Sequence, residues 1–294
     1  MTFRSGFVAI VGRANTGKST LLNALVGEKV AIVSEKPHTT RHKLLGVLNG
    51  EGFQAALLDT PGYLRHGRDR LDAAMKRHVA SALAEADLVA LVAEPRMPGD
   101  VELAFIEQFK AAKARGLLVL NKIDAAAKSR LLPVMERYTQ AYSFERIVPV
   151  SALTGDGTGL LTAELAALLP EQEAIFPPDL LTNRPASFLM AEIVREHVFA
   201  QYRDEVPYDV AVEVEEFDRR EGEAPDLVRA VVYVASASQK RLLIGSGGAA
   251  IKQVGVAARP ALEALAGRAV YLELWVKVNP HWRRKAGFVE RQAG

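Results

Sequence analysis

A chain of 294 residues has room for about two ordinary domains, and 49% hydrophobic with 24% charged residues describes a folded globular protein rather than a disordered or fibrous one. No stretch approaches the ~18 uninterrupted apolar residues of a membrane span, and the first residues lack a signal-peptide layout. Cysteine is absent, which excludes disulfides and thiolate metal sites and fits a cytoplasmic location. The net charge of +2 is unevenly spread. From Ser236 onward ten Lys/Arg stand against three acids, a net +7 that leaves −5 on the first 235 residues. A basic end suggests a polyanionic partner; a solvated basic face is the competing reading.

In chain order, Phe7 to Val11 reads as a strand and Lys18 to Leu25 as a helix. Extended segments follow at Lys43 to Asn49 and Phe53 to Asp59, with buried-strand candidates at Leu88 to Ala93, Leu117 to Asn121 and Ile147 to Val150. Helical stretches separate them at Asp72 to Ala86 and Glu102 to Ala114. This alternation predicts an α/β domain, a mostly parallel sheet with helices on both faces that binds ligands at the C-terminal strand ends. After a helix at Gly159 to Leu169, four prolines (Pro170, Pro177, Pro178, Pro185) fall within sixteen residues and read as a linker. The expected division is a first domain over 1–173, a linker over 174–184 and a second domain over 185–294 ending in a basic tail. The second domain reads as helix (Phe188 to Gln201), two strands (Asp209 to Glu216, Leu227 to Ala235), a glycine turn between helical segments, helix (Ala249 to Leu265) and strand (Val270 to Val278). That α-β-β-α-α-β order belongs to a small α+β domain.

Four signatures in the first half carry chemistry. Gly12-Arg13-Ala14-Asn15-Thr16-Gly17-Lys18-Ser19, followed by Thr20, stands between a strand and a helix, where a phosphate loop works. Its backbone N–H groups and the positive helix end would cradle a β-phosphate. Lys18 would reach the β- and γ-phosphates, and Ser19 would hold Mg²⁺. Asp59-Thr60-Pro61-Gly62 ends a strand; Asp59 can hold Mg²⁺ through water, and the Gly62 N–H can sense a γ-phosphate. Asn121-Lys122-Ile123-Asp124 selects the base, because the Asp124 carboxylate accepts from the N1–H and 2-amino group of guanine, a donor pair adenine lacks. Lys122 would cover the base, and Asn121 would tie this loop to the phosphate loop. Ser151-Ala152-Leu153 offers a backbone N–H to guanine O6. The ligands expected are therefore GTP or GDP with Mg²⁺.

Between the first two signatures lies Pro37-His38-Thr39-Thr40-Arg41, where a hydroxyl, Thr40 in preference to Thr39, would join the Mg²⁺ shell only while the γ-phosphate is present. His38 and His42 have metal-site spacing but lie on a loop with no third ligand, and read as exposed histidines. Lys18, Thr40 and Gly62 form the candidate catalytic set. Position 63 is a tyrosine where many small GTPases place a water-orienting glutamine, so turnover is expected to be slow, with the water held by switch-loop backbone or a potassium ion.

In the second domain, Ile244-Gly245-Ser246-Gly247-Gly248 is a G-x-x-G turn followed by Lys252, the arrangement with which KH modules clamp single-stranded RNA. Arg283-Arg284-Lys285 adds a basic run beyond it. Gly12-Arg13, Gly17 to Thr20, Thr39 to Arg41, Asp59 to Gly62, Asn121 to Asp124, the glycine turn and Leu272-Glu273-Leu274-Trp275-Val276-Lys277-Val278 together resemble the Era family of bacterial GTPases over essentially the whole chain. That resemblance implies a monomer that binds near the 3′ end of 16S ribosomal RNA, acts in small-subunit assembly and associates peripherally with the membrane. Two residues depart from the family pattern: Ala14 where proline is usual, and Gly247 where lysine is common, which removes one phosphate contact that Lys252 or the Arg283–Lys285 run would have to replace. An RNA-binding assembly factor that keeps GTP as a structural ligand is the alternative; an ATP enzyme is opposed by Asp124.

Overall fold

The computed structural model describes residues 2–33, 40–41, 43–62, 70–202, 209–285 and 287–289. The chain divides into two compact units between Asn183 and Arg184. Among the described residues no helix is long and apolar enough to cross a membrane.

The first unit is built on a six-stranded sheet in the order β2-β3-β1-β4-β5-β6. Its strands are β1 (Arg4–Val11), β2 (Leu44–Gly50), β3 (Phe53–Asp59), β4 (Leu88–Ala93), β5 (Gly116–Leu120) and β6 (Arg146–Pro149). Every pairing is parallel except that of β2 with β3. The central strands are continuous apolar runs (Leu88-Val89-Ala90-Leu91-Val92-Ala93 is buried at every position) because helices cover both their faces. On one face pack Phe105, Ile106 and Phe109 of α3 (Asp100–Ala112) with Val134 and Tyr138 of α4 (Leu131–Ala141). Helices α1 (Lys18–Val26), α2 (Arg70–Glu85) and α5 (Thr158–Leu168) complete the unit. Helix α1 approaches β2 closely: a Cβ on Gly46 would stand 2.7 Å from Leu22. The strand order reverses around β1, with β3 on one side and β4 on the other, so the loops after these strands open a crevice at their C-terminal ends.

The proline-rich segment after α5 is tied to this unit. The buried Gln54 side chain accepts from the Ile175 and Phe176 N–H groups at 2.9 and 2.8 Å and donates to the Phe176 carbonyl at 2.9 Å. The Val47 N–H on edge strand β2 donates to Leu181 O at 2.8 Å, so the segment covers an edge that would otherwise be open.

The second unit carries a three-stranded sheet, β7 (Ala211–Asp218), β8 (Asp226–Val234) and β9 (Val270–Val278), antiparallel between β7 and β8 and parallel between β8 and β9. Helices α6 (Ala186–Gln201), α7 (Ala237–Ile244) and α8 (Ala249–Ala266) pack on one face, where Val194, Val198, Val232, Leu243, Val254 and Leu262 form the core. Strand alternation sends Val228, Ala230, Val232 and Val234 into that core and Arg229, Val231 and Tyr233 to the other face. What the sequence presents as a basic tail is docked. Trp282 is fully buried, its indole N–H donates to Asp209 O at 2.9 Å, and Phe288 packs edge-on against both Trp282 and Tyr233.

Candidate functional site

The loop between β1 and α1 turns tightly at two glycines. Gly12 (φ +150°) has no room for a side chain, since a Cβ would lie 2.3 Å from Val92 O, and Gly17 (φ +88°) is closed off by the Asn121 amide at the same distance. No side chain caps the N-terminus of α1, so its first N–H groups keep their capacity for an anion. Lys18, first in that helix, folds back over the loop and donates to Arg13 O at 2.9 Å and Gly12 O at 3.3 Å. Burial lowers its ammonium to about 8, opposed by the negative charge of Asp59, so a bound anion would restore its ordinary basicity.

Ser19, Thr40 and Asp59 converge although they come from a helix, a loop and a strand end. The Ser19 hydroxyl donates to Asp59 Oδ2 at 2.7 Å and lies 2.8 Å from Thr40 Oγ1. Asp59 is fully buried, and its Oδ1 has no hydrogen-bond partner among the described residues. Burial pushes this carboxyl up to about 6, opposed by Lys18, Ser19, the Thr60 backbone and Thr40. Two hydroxyls and a buried carboxylate with an unused oxygen form an all-oxygen donor set that suits Mg²⁺. Thr60 anchors the strand end through Ile10 O at 2.8 Å. Gly62 lies against the phosphate loop, where a Cβ would come within 2.8 Å of Ala14 Cα.

Asn121 joins three loops. Its Nδ2 donates to Thr16 O at 2.8 Å in the phosphate loop, and its Oδ1 accepts from the Ala152 N–H at 2.9 Å. Thr16 is itself closed onto Arg13 O at 3.0 Å. Lys122, left-handed at φ +67°, donates to Asn15 O at 2.5 Å and to Glu94 Oε1 at 2.8 Å. Asp124 stands exposed on a short turn at Ile123–Ala125. Ser151 is fully buried, with its N–H on Asp156 O, and its hydroxyl accepts from the Thr154 N–H at 3.2 Å. The Ser151 and Ala152 N–H groups are thus committed, while the Leu153 N–H makes no bond to a described residue. Thr20 sits half-buried in the first turn of α1.

Two residues of this site carry no sequence signature. Glu94, directly after β4, makes an ion pair with Lys122. Asn23 on α1 accepts from Val30 N and Ala31 N at 3.1 and 2.9 Å and donates to Ala31 O at 2.8 Å. The one detectable signal for Asn23 is an amide inside the apolar run Leu21-Leu22-Asn23-Ala24-Leu25. Arg41 is fully buried. Pro37, His38, Thr39, His42 and Tyr63 lie outside the described residues.

In the second unit the glycine turn is open on its outer side. Gly245 (φ +73°) is pressed against Ala250, where a Cβ would be 2.7 Å away. Gly247 (φ +57°) and Gly248 (φ +83°) face open space, and Ser246 and Lys252 are exposed. Ile244 and Ile251 pack into the core on either side. Helix α7 starts with a capping box in which Ser236 Oγ accepts from Gln239 N and Gln239 Oε1 accepts from Ser236 N. The basic run lies elsewhere. Arg283, Arg284 and Lys285 follow Asn279, whose N–H bonds Val234 O near the start of α7. The glycine turn follows the far end of that eight-residue helix, about 12 Å along its axis.

Residues 7–122 match a family described as 50S ribosome-binding GTPase, and residues 205–283 match the KH domain family. GTPase Era of Geobacter metallireducens is 44% identical over 281 residues, covering 95% of this chain and 94% of that protein. GTPase Era of Ruminiclostridium cellulolyticum is 39% identical over 284 residues, covering 96% and 95%. A crystal structure of the Y63A variant of Aquifex aeolicus Era bound to GDP·AlF4⁻ superposes with a TM-score of 0.94 at 36% identity, covering 99% of both chains. A crystal structure of Era in complex with MgGDPNP and nucleotides 1506–1542 of 16S ribosomal RNA gives 0.93 at 37%, covering 99% of this chain and 98% of that one.

Proposed function

This chain belongs to the Era family of GTPases, and on that premise we propose that it binds GTP at the crevice around β1, hydrolyses it slowly to GDP and phosphate, and binds the 3′ region of 16S ribosomal RNA through its KH unit during small-subunit assembly. The observation that carries the nucleotide half is the convergence of three loops on Asn121 beside the assembled Ser19, Thr40 and Asp59. Lys18 places a buried cation where β- and γ-phosphate charge would sit, and the uncapped α1 N-terminus supplies backbone donors. Ser19 and Thr40 would hold Mg²⁺ directly and Asp59 through water; the ion would neutralise charge developing on the phosphates. Asp124 reads the guanine edge, the exposed Lys122 stem covers the base, and the Leu153 N–H is the donor left for O6. Gly62, against Ala14, is placed to register the γ-phosphate through its N–H.

Tyr63 supplies no amide to orient the attacking water, so that task falls to backbone of the neighbouring loop or to a potassium ion. The same tyrosine favours a second reading, in which GTP is a structural ligand with negligible turnover. Single-turnover hydrolysis with and without an RNA of the 16S 3′ end, in potassium and in sodium, separates them. Turnover that RNA or potassium raises supports the enzyme, and no phosphate release under any condition supports the structural ligand. RNA crosslinked to the chain in each nucleotide state tests the partner. Any membrane contact would be peripheral, since among the described residues no helix spans a bilayer; co-sedimentation with anionic vesicles tests it.

A further inference from the structure

The face of the second unit's sheet that turns away from its helices has no role in the nucleotide or RNA reading. Along β9, Leu272, Leu274 and Val276 pack toward the core, while Tyr271, Glu273, Trp275 and Lys277 alternate onto the opposite face. Tyr271 is 54% exposed and Trp275 57% exposed. Core packing does not call for an aromatic at either position, and two large exposed rings about 13 Å apart on one strand face, the Glu273–Arg229 pair between them, are features of a binding surface.

The surroundings of these rings select the occupant. Strand β7 brings Glu213, Glu215 and Glu216 to the same face, the last two through an irregularity between Val214 and Glu216. The three cations present are already engaged, Arg220 with Asp218 and beside Glu273. Arg229 pairs with both Glu216 and Glu273, and Lys277 reaches across the sheet to Glu215 at 2.7 Å. Trp275 stands two residues from Glu273 on the same face and is more than half exposed. Among the described residues no cation lies over Trp275 or Tyr271. Five carboxylates, Asp218 included, against three paired cations give a locally negative surface in a unit whose other features are basic. Phosphate groups would be repelled here, and an arginine or lysine head would be attracted both to the carboxylates and to the indole face.

We propose that the exposed part of this face, centred on Trp275 and beyond the end that Phe288 covers, is a docking surface for an extended basic segment of a partner protein, separate from the glycine turn. It holds whether or not the chain turns over GTP.

The chain carries two tryptophans, Trp275 exposed and Trp282 buried, so acrylamide quenching of its fluorescence reports mainly on Trp275. The full chain, loaded with GDP, is titrated with a short peptide alternating arginine and glycine, with its glutamate–glycine counterpart, and with oligouridine. The basic peptide should shield Trp275, and the acidic one should not. Trp275→Ala, read by labelled-peptide anisotropy, should weaken the basic peptide about fivefold, the size of an exposed to partly desolvated cation–π contact. Lys277→Glu, which frees Glu215 and adds a charge, should tighten it, and this surface change keeps the test alive should Trp275→Ala not fold. RNA affinity should hold in both variants. Peptide affinity unchanged by both substitutions, or shielding of Trp275 by oligouridine in the parent chain, overturns the proposal.

Discussion

Replacing Asn121 by alanine removes one side chain and disconnects three loops. The amide is 2% exposed, donates to Thr16 O and accepts from the Ala152 N–H. Alanine leaves that carbonyl and that N–H without partners in a place closed to water. A stranded buried polar group costs about 1–3 kcal/mol, so the pair costs at least about 2 kcal/mol. Bound nucleotide needs the phosphate, base and Ser151–Leu153 loops in place together, so the cost should fall on binding. At about 1.4 kcal/mol per tenfold, the lower bound is a roughly thirtyfold loss of GDP affinity. Stopped-flow displacement of a fluorescent GDP analogue should find it mostly as faster dissociation. Asn121→Asp keeps the acceptor for Ala152 but turns a carboxylate on Thr16 O, and should do no better than alanine. An affinity within threefold of the parent for Asn121→Ala would refute the idea that this bridge assembles the site.

Four further outcomes are expected. Glu94→Ala should weaken GDP binding by only a few-fold, because a half-exposed pair with Lys122 contributes under ~1 kcal/mol, and Glu94→Gln should restore most of the loss by keeping a hydrogen bond. Lys18 titrates near 8 in the free chain, below its ordinary 10.5. The unfolded state then binds more protons between those values, so the free chain gains stability as pH rises through that window. Nucleotide phosphate restores the charge, so calorimetry in buffers of different ionisation heat should show uptake approaching one proton per site at about pH 9 and almost none at about pH 7. Asp124→Asn should shift preference from GTP toward xanthosine triphosphate in competition binding, because the amide donates where the carboxylate accepted. Changing Arg283, Arg284 and Lys285 together to alanine, with Trp282 left in place, should flatten the salt dependence of RNA binding; an unchanged slope would remove these residues from the interface.

The nucleotide signatures are legible because phosphate and guanine chemistry dictate residue type and spacing locally. Lys18, Ser19, Asp59, Asn121 and Asp124 each sit within a few residues of a strand end visible as an apolar run. The parallel core is equally readable, since Leu88–Ala93 and Leu117–Leu120 leave no room for a solvated face. What the chain does not advertise are contacts made at long range. Gln54 is an ordinary polar residue until it meets Ile175 and Phe176 more than a hundred positions later. Glu94 has no motif, and its partner Lys122 lies on another strand end. The Arg283–Lys285 run reads as a loose tail because its charge is conspicuous, while the neighbours that dock it, Trp282 and Phe288, find Asp209 and Tyr233 only through the tertiary fold. Strand β1 begins at Arg4, ahead of the apolar run, because backbone pairing with β3 extends to Phe53 whatever the side chains are.

The pairing of Val47 with Leu181 places two unrelated duties on one short strand. Thr40, the hydroxyl beside Ser19, stands four residues before β2 begins, and four residues into β2 the Val47 N–H grips the peptide that leaves the nucleotide unit at Asn183. Asn49 Nδ2, two residues on, holds Pro178 O at 3.0 Å. One short strand thus runs from beside the Ser19–Thr40 contact to the chain segment that closes the nucleotide unit, so a single edge serves the site at one end and the seam at the other.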